Sequence, residues 1–309
     1  MNRTANSPGF NKQASSLLCL SAYCAAILAA GATIYLIDND NVMIAAFCAD
    51  CVATLIVFCF SRGLNNSSIY DPYWSLAPLP VALYWAAGGG AGDGLHLRQI
   101  IVIALVVLWG GRLTYNWHRQ WKGLAHEDWR YVDLRGRTGR WYWPVSFWGI
   151  HFFPTAIVFL GCLSLYPVMN SARGDIGALD IAGIIIAGGG ISIEAAADRQ
   201  LHRFIKSDPS KNEILSTGLW AYSRHPNYFG EVSFWWGLFI FSIAADKFYW
   251  WSAVGPVALT VMFLTISIPM MERHMLSRRP RYAERRRAVS AFIPWFPKKP
   301  VEVHPSKKL

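Results

Sequence analysis

Apolar stretches of about 20 residues recur along this chain, and that recurrence limits its fold more than any other feature. A helix needs a run of that length to cross the hydrocarbon of a bilayer. Eight candidates stand out among the 309 residues, at roughly 16–37, 43–61, 75–90, 99–118, 144–167, 177–197, 229–245 and 250–271. In lipid every backbone N–H and C=O must find its partner within the protein, so apolar runs of this length cross as helices. The sequence therefore reads as an all-α polytopic membrane helix bundle, with about seven to eight transmembrane helices. The third candidate is the weakest, being short and interrupted by Pro78 and Pro80, so it reads as re-entrant or as a tilted half-span. The first is too long for the apolar region of a signal peptide and has no clear cleavage site.

The distribution of charge supports this reading. Only 16% of residues are charged, against about a quarter in ordinary soluble domains. The mean hydropathy is +0.25. A net charge of +10 would suit a nucleic-acid binder if it lay on one soluble face. Instead, all Lys and Arg except Arg98, Arg112, Arg173 and Lys247 fall in five stretches: the N-terminus, 62–74, 119–143, 198–228 and 272–309. These are alternate loops and both tails. The intervening loops are short and carry Asp38, Asp40, Asp93 and Asp175. Positive charge gathers on cytoplasmic loops, so both termini and the long loops are expected in the cytoplasm. The run Arg278, Arg279, Arg281, Arg285, Arg286 and Arg287 is also suited to anionic lipid headgroups. Nucleic acid is not an expected partner, and no obligate protein partner is inferred.

The six cysteines, at 19, 24, 48, 51, 59 and 162, all sit in apolar stretches. Cys48 and Cys51 form a C-x-x-C, but in a hydrocarbon setting they read as small buried hydrophobes. No zinc, Rossmann, P-loop or nucleophile-elbow pattern is present, and no metal site is expected.

Ionisable residues inside membrane segments are costly and mark functional sites. Here they cluster toward the expected cytoplasmic ends. Asp71 lies in Tyr70-Asp71-Pro72-Tyr73-Trp74, and Arg112 in a segment that ends Thr114-Tyr115-Asn116. Glu194 and Asp198 are one helical turn apart, Glu231 opens the seventh candidate span, and Glu272, Arg273 and His274 close the eighth. Asp50 is the exception, in the middle of the second. The densest chemistry is Gly218-Leu219-Trp220-Ala221-Tyr222-Ser223-Arg224-His225-Pro226-Asn227-Tyr228-Phe229-Gly230-Glu231. Pro226 suits a first helical turn, whose free N–H groups favour an anion, and Arg224 is a fixed cation suited to phosphate. Tyr222 and Tyr228 can stack or donate a hydrogen bond.

That run, together with Glu194…Asp198-Arg199-Gln200 before it and Phe292-Ile293-Pro294-Trp295-Phe296 after it, resembles the C-terminal domain of the steroid 5α-reductases. It is closer still to a bacterial branch grouped with them, which the Tyr-Asp-x-Tyr-Trp, Arg112-Leu-x-Tyr and Glu127-Asp128-x-Arg130-Tyr131 segments fit. The resemblance covers about residues 65–296. It divides the chain into an N-terminal transmembrane hairpin (1–64), a catalytic membrane domain (65–296) and a basic cytoplasmic tail (297–309).

The resemblance implies an NADPH-dependent reductase. Its cofactor binds from the cytoplasmic side of a bacterial inner membrane, and hydride passes to the unsaturated bond of a lipophilic enone that enters from the lipid. Cofactor contacts implied by position are Arg112, Glu194, Asp198, Asn227 and Glu231, with Tyr222, Arg224, His225 and Tyr228 beside them and Arg273 and His274 in the matching C-terminal region. Two departures stand out. The family has Asn where Glu194 stands. Its carbonyl-polarising Glu is matched by Asp71, but its Tyr is matched by Trp109, an N–H donor only, so Tyr70, Tyr73 or Tyr115 would have to supply the acid. The related isoprenylcysteine carboxyl methyltransferases share the Arg-His-Pro run, so the alternative expectation is a methyltransferase using S-adenosylmethionine. A membrane scaffold without catalysis is the third reading, and the gathered polar residues argue against it.

Overall fold

The computed structural model describes residues 11–37, 41–88, 94–171, 174–210, 213–279 and 281–298. Asp38, Asp40, Asp93 and Arg173, which enter the loop-charge reading, lie outside the described residues, as does 299–309 of the basic tail.

The described residues form helices and no strand. The series runs α1 (Lys12–Leu36), α2 (Val42–Gly63), a 3₁₀ turn at Ser67–Tyr70, α3 (Tyr73–Leu76), α4 (Pro78–Gly88) and α5 (Leu97–Gln120). After these come α6 (Trp129–Thr138), α7 (Tyr142–Ser146), α8 (Phe153–Cys162), α9 (Leu165–Asn170) and α10 (Ala178–Lys206). The last are α11 (Pro226–Ala245), α12 (Val254–Met262), α13 (Ile268–Arg278) and α14 (Tyr282–Ala288). Several helices start on a side-chain cap that satisfies a free N–H. Asn11 accepts from Ala14, Asn41 from Met43 and Ile44, and Asp128 from Arg130. Single π-helical turns at Phe147–Phe152 and Phe263–Ser267 join α7 to α8 and α12 to α13.

Seven helical runs are long and apolar enough to cross a membrane: α1, α2, α5, 129–162, α10, α11 and 247–278. The protein is an all-α polytopic membrane bundle. The proline-bearing third stretch breaks into α3 and α4, neither long enough alone. Together they still carry the chain from one end of α2 to the other. Beside the C-terminal end of α2, Asn66 Nδ2 donates to Leu124 O at 2.9 Å, in the segment that follows α5. Near the far end of α4, Trp85 Nε1 donates to Val42 O, at the start of α2, at 3.3 Å. The pair thus runs the length of α2.

The chain forms two compact units, one of 1–181 with 238–255 and the other of 182–237 with 256–309. The core of the first contains Ala22, Ala26, Val57, Ile69, Tyr70, Tyr73, Leu124, Tyr131 and Ile150. It also holds a buried clasp, in which Arg98 Nε donates to Asp180 Oδ1 at 2.6 Å while Gly177 N–H donates to Asp180 Oδ2 at 2.8 Å. In the second unit, α10 and α11 run antiparallel at backbone distance. A Cβ on Gly190 would lie 2.6 Å from Gly230 O and 2.7 Å from Phe234 N, so only glycine permits the approach. Large apolar side chains stay exposed on the outer faces, among them Leu28 of α1 and Ile185 of α10, as expected where the solvent is lipid.

The cysteines are all free. Cys19 and Cys162 are buried, Cys48 and Cys51 half-buried, and Cys24 and Cys59 exposed. The expectation of six buried thiols is therefore corrected for the last two. They sit on outward faces of α1 and α2, where a thiol is apolar enough to meet lipid.

Candidate functional site

In the first unit the polar residues meet around Asp71. The 3₁₀ turn before it is pinned by the segment ahead of α6. Glu127 Oε1 accepts from Ser67 N–H at 2.8 Å, and Ser68 Oγ accepts from Asp128 N–H at 2.8 Å. Arg135 holds Glu127 in turn, with Nη2 3.2 Å from Oε1. With turn and helix start locked together, the first turn of α6 lies over Asp71. Tyr131 donates a hydrogen bond from its phenolic hydroxyl to Asp71 Oδ1. Arg130 Nη2 stands 3.7 Å from the same oxygen, while its Nε donates to Asp128 Oδ1 at 2.8 Å.

Burial pushes the Asp71 carboxyl up from 3.8 to about 6, more than Arg130 and the Tyr131 hydrogen bond pull it down. Burial would raise Asp128 too, but its hydrogen bonds to Arg130 and that charge outweigh it, so Asp128 is lowered. Two adjacent carboxyls are thus driven apart in proton affinity, a pattern common to acid–base sites. Asp71 retains 16% side-chain exposure and Arg130 39%, so the cluster is open on one side.

The tyrosines named from the sequence are elsewhere. Tyr70 is buried with its hydroxyl 2.8 Å from Thr155 Oγ1. Tyr73 donates to Asp50 Oδ1 at 2.6 Å. Tyr115 is exposed on α5. Trp109 is fully buried and packs edge-on against Trp74. Arg112 is half-buried on α5 in this unit. The phenol that meets Asp71 is Tyr131, which sequence reasoning quoted within the Glu-Asp-x-Arg-Tyr segment without giving it a role. That segment's density of charge beside an aromatic residue was the available signal.

In the second unit the 218–231 run folds against the end of α10. Gly218 has a φ of +62°, and Gln200 fills the space where a side chain would stand. Gln200 Oε1 accepts from Leu219 N–H at 3.0 Å, and Trp220 Nε1 donates to Ala197 O at 3.1 Å. Pro226 then starts α11. The α10–α11 contact sets Glu194 against Gly230, with Asn227 one turn before and Glu231 one residue after. Glu194 and Glu231 are buried, and Glu231 Oε1 accepts from Trp235 Nε1 at 2.8 Å. Asp198 lies one turn along α10 from Glu194, half-buried. Asn227 Oδ1 is buried and accepts no hydrogen bond.

Arg224 is occupied. Its Nε donates to Glu272 Oε1 at 2.7 Å, and its Nη1 to the carbonyls of Arg286 and Val289 at 2.7 and 2.5 Å. It holds α13 and the C-terminal segment in place. Arg286 Nε reaches the other Glu272 oxygen at 2.9 Å. His225 is buried, with Nε2 3.7 Å from Glu272 Oε1, and its ring stacks on Tyr228. Tyr222 is exposed and meets Phe296 edge-on. Arg273 is exposed on α13 and His274 half-buried.

The fold and its paired polar clusters define a helical membrane protein with ionisable side chains gathered on named helix ends. The chain belongs to the family described as Protein of unknown function (DUF1295), whose model matches residues 57–289. It is also similar to "Uncharacterized protein C594.04c" of Schizosaccharomyces pombe, 25% identical over 281 residues, which cover 83% of this chain and 80% of that protein. No solved structure matches.

Proposed function

We propose that this protein is a membrane reductase that passes hydride from NADPH to the unsaturated bond of a lipophilic enone, a steroid- or isoprenoid-like lipid. The observation that carries the reading is the Asp71–Tyr131 pair. Reducing an enone needs a hydride on the β-carbon and a proton on the α-carbon, with the carbonyl oxygen stabilised between. Methyl transfer from S-adenosylmethionine needs no such acid. A phenol held on a carboxyl with raised proton affinity is suited to donate to a developing enolate oxygen, and Asp71 can return the proton.

NADPH supplies the hydride. The second unit fits its ribose and amide end: Asn227 offers an amide whose buried oxygen lacks a donor, and Glu194, Asp198 and Glu231 offer acceptors for hydroxyl or amide N–H groups. Arg224 positions this region through Glu272, so Arg273, exposed on α13, is one cation available for phosphate. His225, Tyr228 and His274 flank these groups. The family resemblance and the gathering of basic loops add support for a cytoplasm-facing site in a bacterial inner membrane.

The test is thermal unfolding of detergent-purified protein with each cofactor, followed by NADPH consumption with a panel of lipophilic enones. NADPH should raise the melting temperature and S-adenosylmethionine should not. Asn227→Ala should weaken the NADPH effect by about tenfold in concentration, the loss of roughly one hydrogen bond. Tyr131→Phe should keep that effect and slow turnover by about 10²–10⁴-fold. Stabilisation by S-adenosylmethionine alone overturns the reductase in favour of the methyltransferase.

A further inference from the structure

Asp50 lies in the middle of α2, buried, in a segment of high hydropathy. Among the described residues its carboxyl accepts one hydrogen bond, from the Tyr73 hydroxyl at 2.6 Å. Among the described residues the ionisable groups that face it are neutral: Tyr73 comes from α3, Tyr70 from the 3₁₀ turn, Cys51 from its own helix, and Cys162 from α8. Among the described residues no Lys, Arg or His pairs with it. An ionised carboxylate with a single hydroxyl donor is costly in such a place, and taking up a proton removes the cost.

A run of hydroxyls begins one helical turn away, at Thr54 on the same face of α2 as Asp50. Thr54 Oγ1 is 2.9 Å from Thr155 Oγ1, and Thr155 Oγ1 is 2.8 Å from Tyr70 OH. All are buried within the first unit, and Tyr70 is the sequence neighbour of Asp71. Thr54 and Thr155 sit on α2 and α8, where a valine would fill the same volume with no polar group to satisfy, so a row of four hydroxyls ending on an acid is an expensive arrangement.

We propose that Asp50 is a proton-holding site inside the membrane, which exchanges its proton with the region of Asp71 along the hydroxyls of Tyr73, Thr54, Thr155 and Tyr70. In the outward step each oxygen takes one proton from its inner neighbour and releases its own outward. Asp50 ends as a carboxylate, each hydroxyl keeps one proton, and one proton passes from Tyr70 to water. The return step reverses this, and nothing is oxidised or reduced. The proposal stands apart from the reductase reading, because its readout needs neither cofactor nor substrate.

The experiment is infrared spectroscopy of the full-length protein in phosphatidylcholine nanodiscs at neutral pH. The wild-type minus Asp50→Asn difference should show the carbonyl stretch of a protonated carboxylic acid. Asparagine can still accept from Tyr73, so this variant keeps the local packing. Tyr73→Phe should retain the band and move it to higher frequency, since the donor to the carbonyl oxygen is gone. On transfer to D₂O the band should shift as the acid exchanges. Thr155→Val and, independently, Tyr70→Phe should slow that shift by about tenfold, the loss of roughly one hydrogen-bonded link. A difference spectrum without the acid band overturns the proposal. So does exchange as fast as wild type in either folded chain variant.

Discussion

Burial governs the proton affinity of Asp71 more than its charged neighbours do, and this has a consequence for stability. The folded protein holds the Asp71 proton up to about pH 6, whereas an ordinary carboxyl loses it near 3.8. Folding therefore favours the protonated acid. The stabilisation is complete below about pH 4 and is lost as pH rises through about 6, a change of roughly 3 kcal/mol at most. Asp71→Asn stays neutral and still accepts from Tyr131, so the variant should lack this pH dependence. Melting temperatures taken across that window should fall for the wild type relative to Asp71→Asn, with the gap constant at higher pH. A gap that does not change between pH 4 and 6 counts against a raised Asp71. Sequence alone singles out Asp71, because an acid beside an apolar stretch is anomalous in one dimension. It cannot supply Tyr131, because that contact joins residues 60 apart through a turn that Glu127 and Asp128 pin in place. Arg224 shows the converse. A cation beside His-Pro reads as a phosphate ligand until the carbonyls of Arg286 and Val289 and the Glu272 carboxylate are seen to occupy it.

Helix packing in this protein depends on where side chains are absent. The close approach of α10 and α11 has a sharp positional requirement. Gly190 faces backbone atoms of α11 that cannot move aside, while Gly189 has nothing within 4 Å of its missing Cβ. Gly190→Leu should force the helices apart and lower stability by about 3 kcal/mol or more, beyond the usual range for overpacking because the obstruction is backbone. Gly189→Ala should instead be neutral or stabilising by up to about 1 kcal/mol, from helix propensity. Thermal unfolding of the two variants in the same detergent makes the comparison, and equal losses would remove the packing argument. The long helices are legible because twenty apolar residues in a row have few other uses. The α3–α4 pair is legible only in part, as the weak third stretch, because hydropathy registers unbroken length and Pro78 divides this one into pieces. Its ends are marked only by tertiary hydrogen bonds, from Asn66 to Leu124 and from Trp85 to Val42.

Within the first unit, α1, α2, the bent α3–α4 pair and α5 run back and forth in turn, which returns the end of α5 to the side on which α1 begins. The hydrogen bond from Lys12 Nζ to His118 O, at 2.8 Å, fits this, since it places the start of α1 beside the end of α5. The side of the first unit that holds the starts of α1 and α6 carries that unit's basic stretches, Arg62 and 119–143, so the positive-inside rule predicts that it faces the cytoplasm. NADPH is a cytoplasmic cofactor, and the reductase reading therefore requires this orientation. Single cysteines introduced at exposed positions can decide it, because the native thiols sit in apolar helices out of reach of a charged reagent. Lys122 follows α5 and Lys247 follows α11, both exposed and both in the first unit. In intact spheroplasts a membrane-impermeant maleimide should label Lys247→Cys and leave Lys122→Cys unlabelled until the membrane is opened. Labelling of Lys122→Cys from outside would place the Asp71 cluster, which packs against the segment just after Lys122, on the face away from the cofactor pool. The same cluster could then no longer serve an NADPH enzyme, whatever its internal geometry.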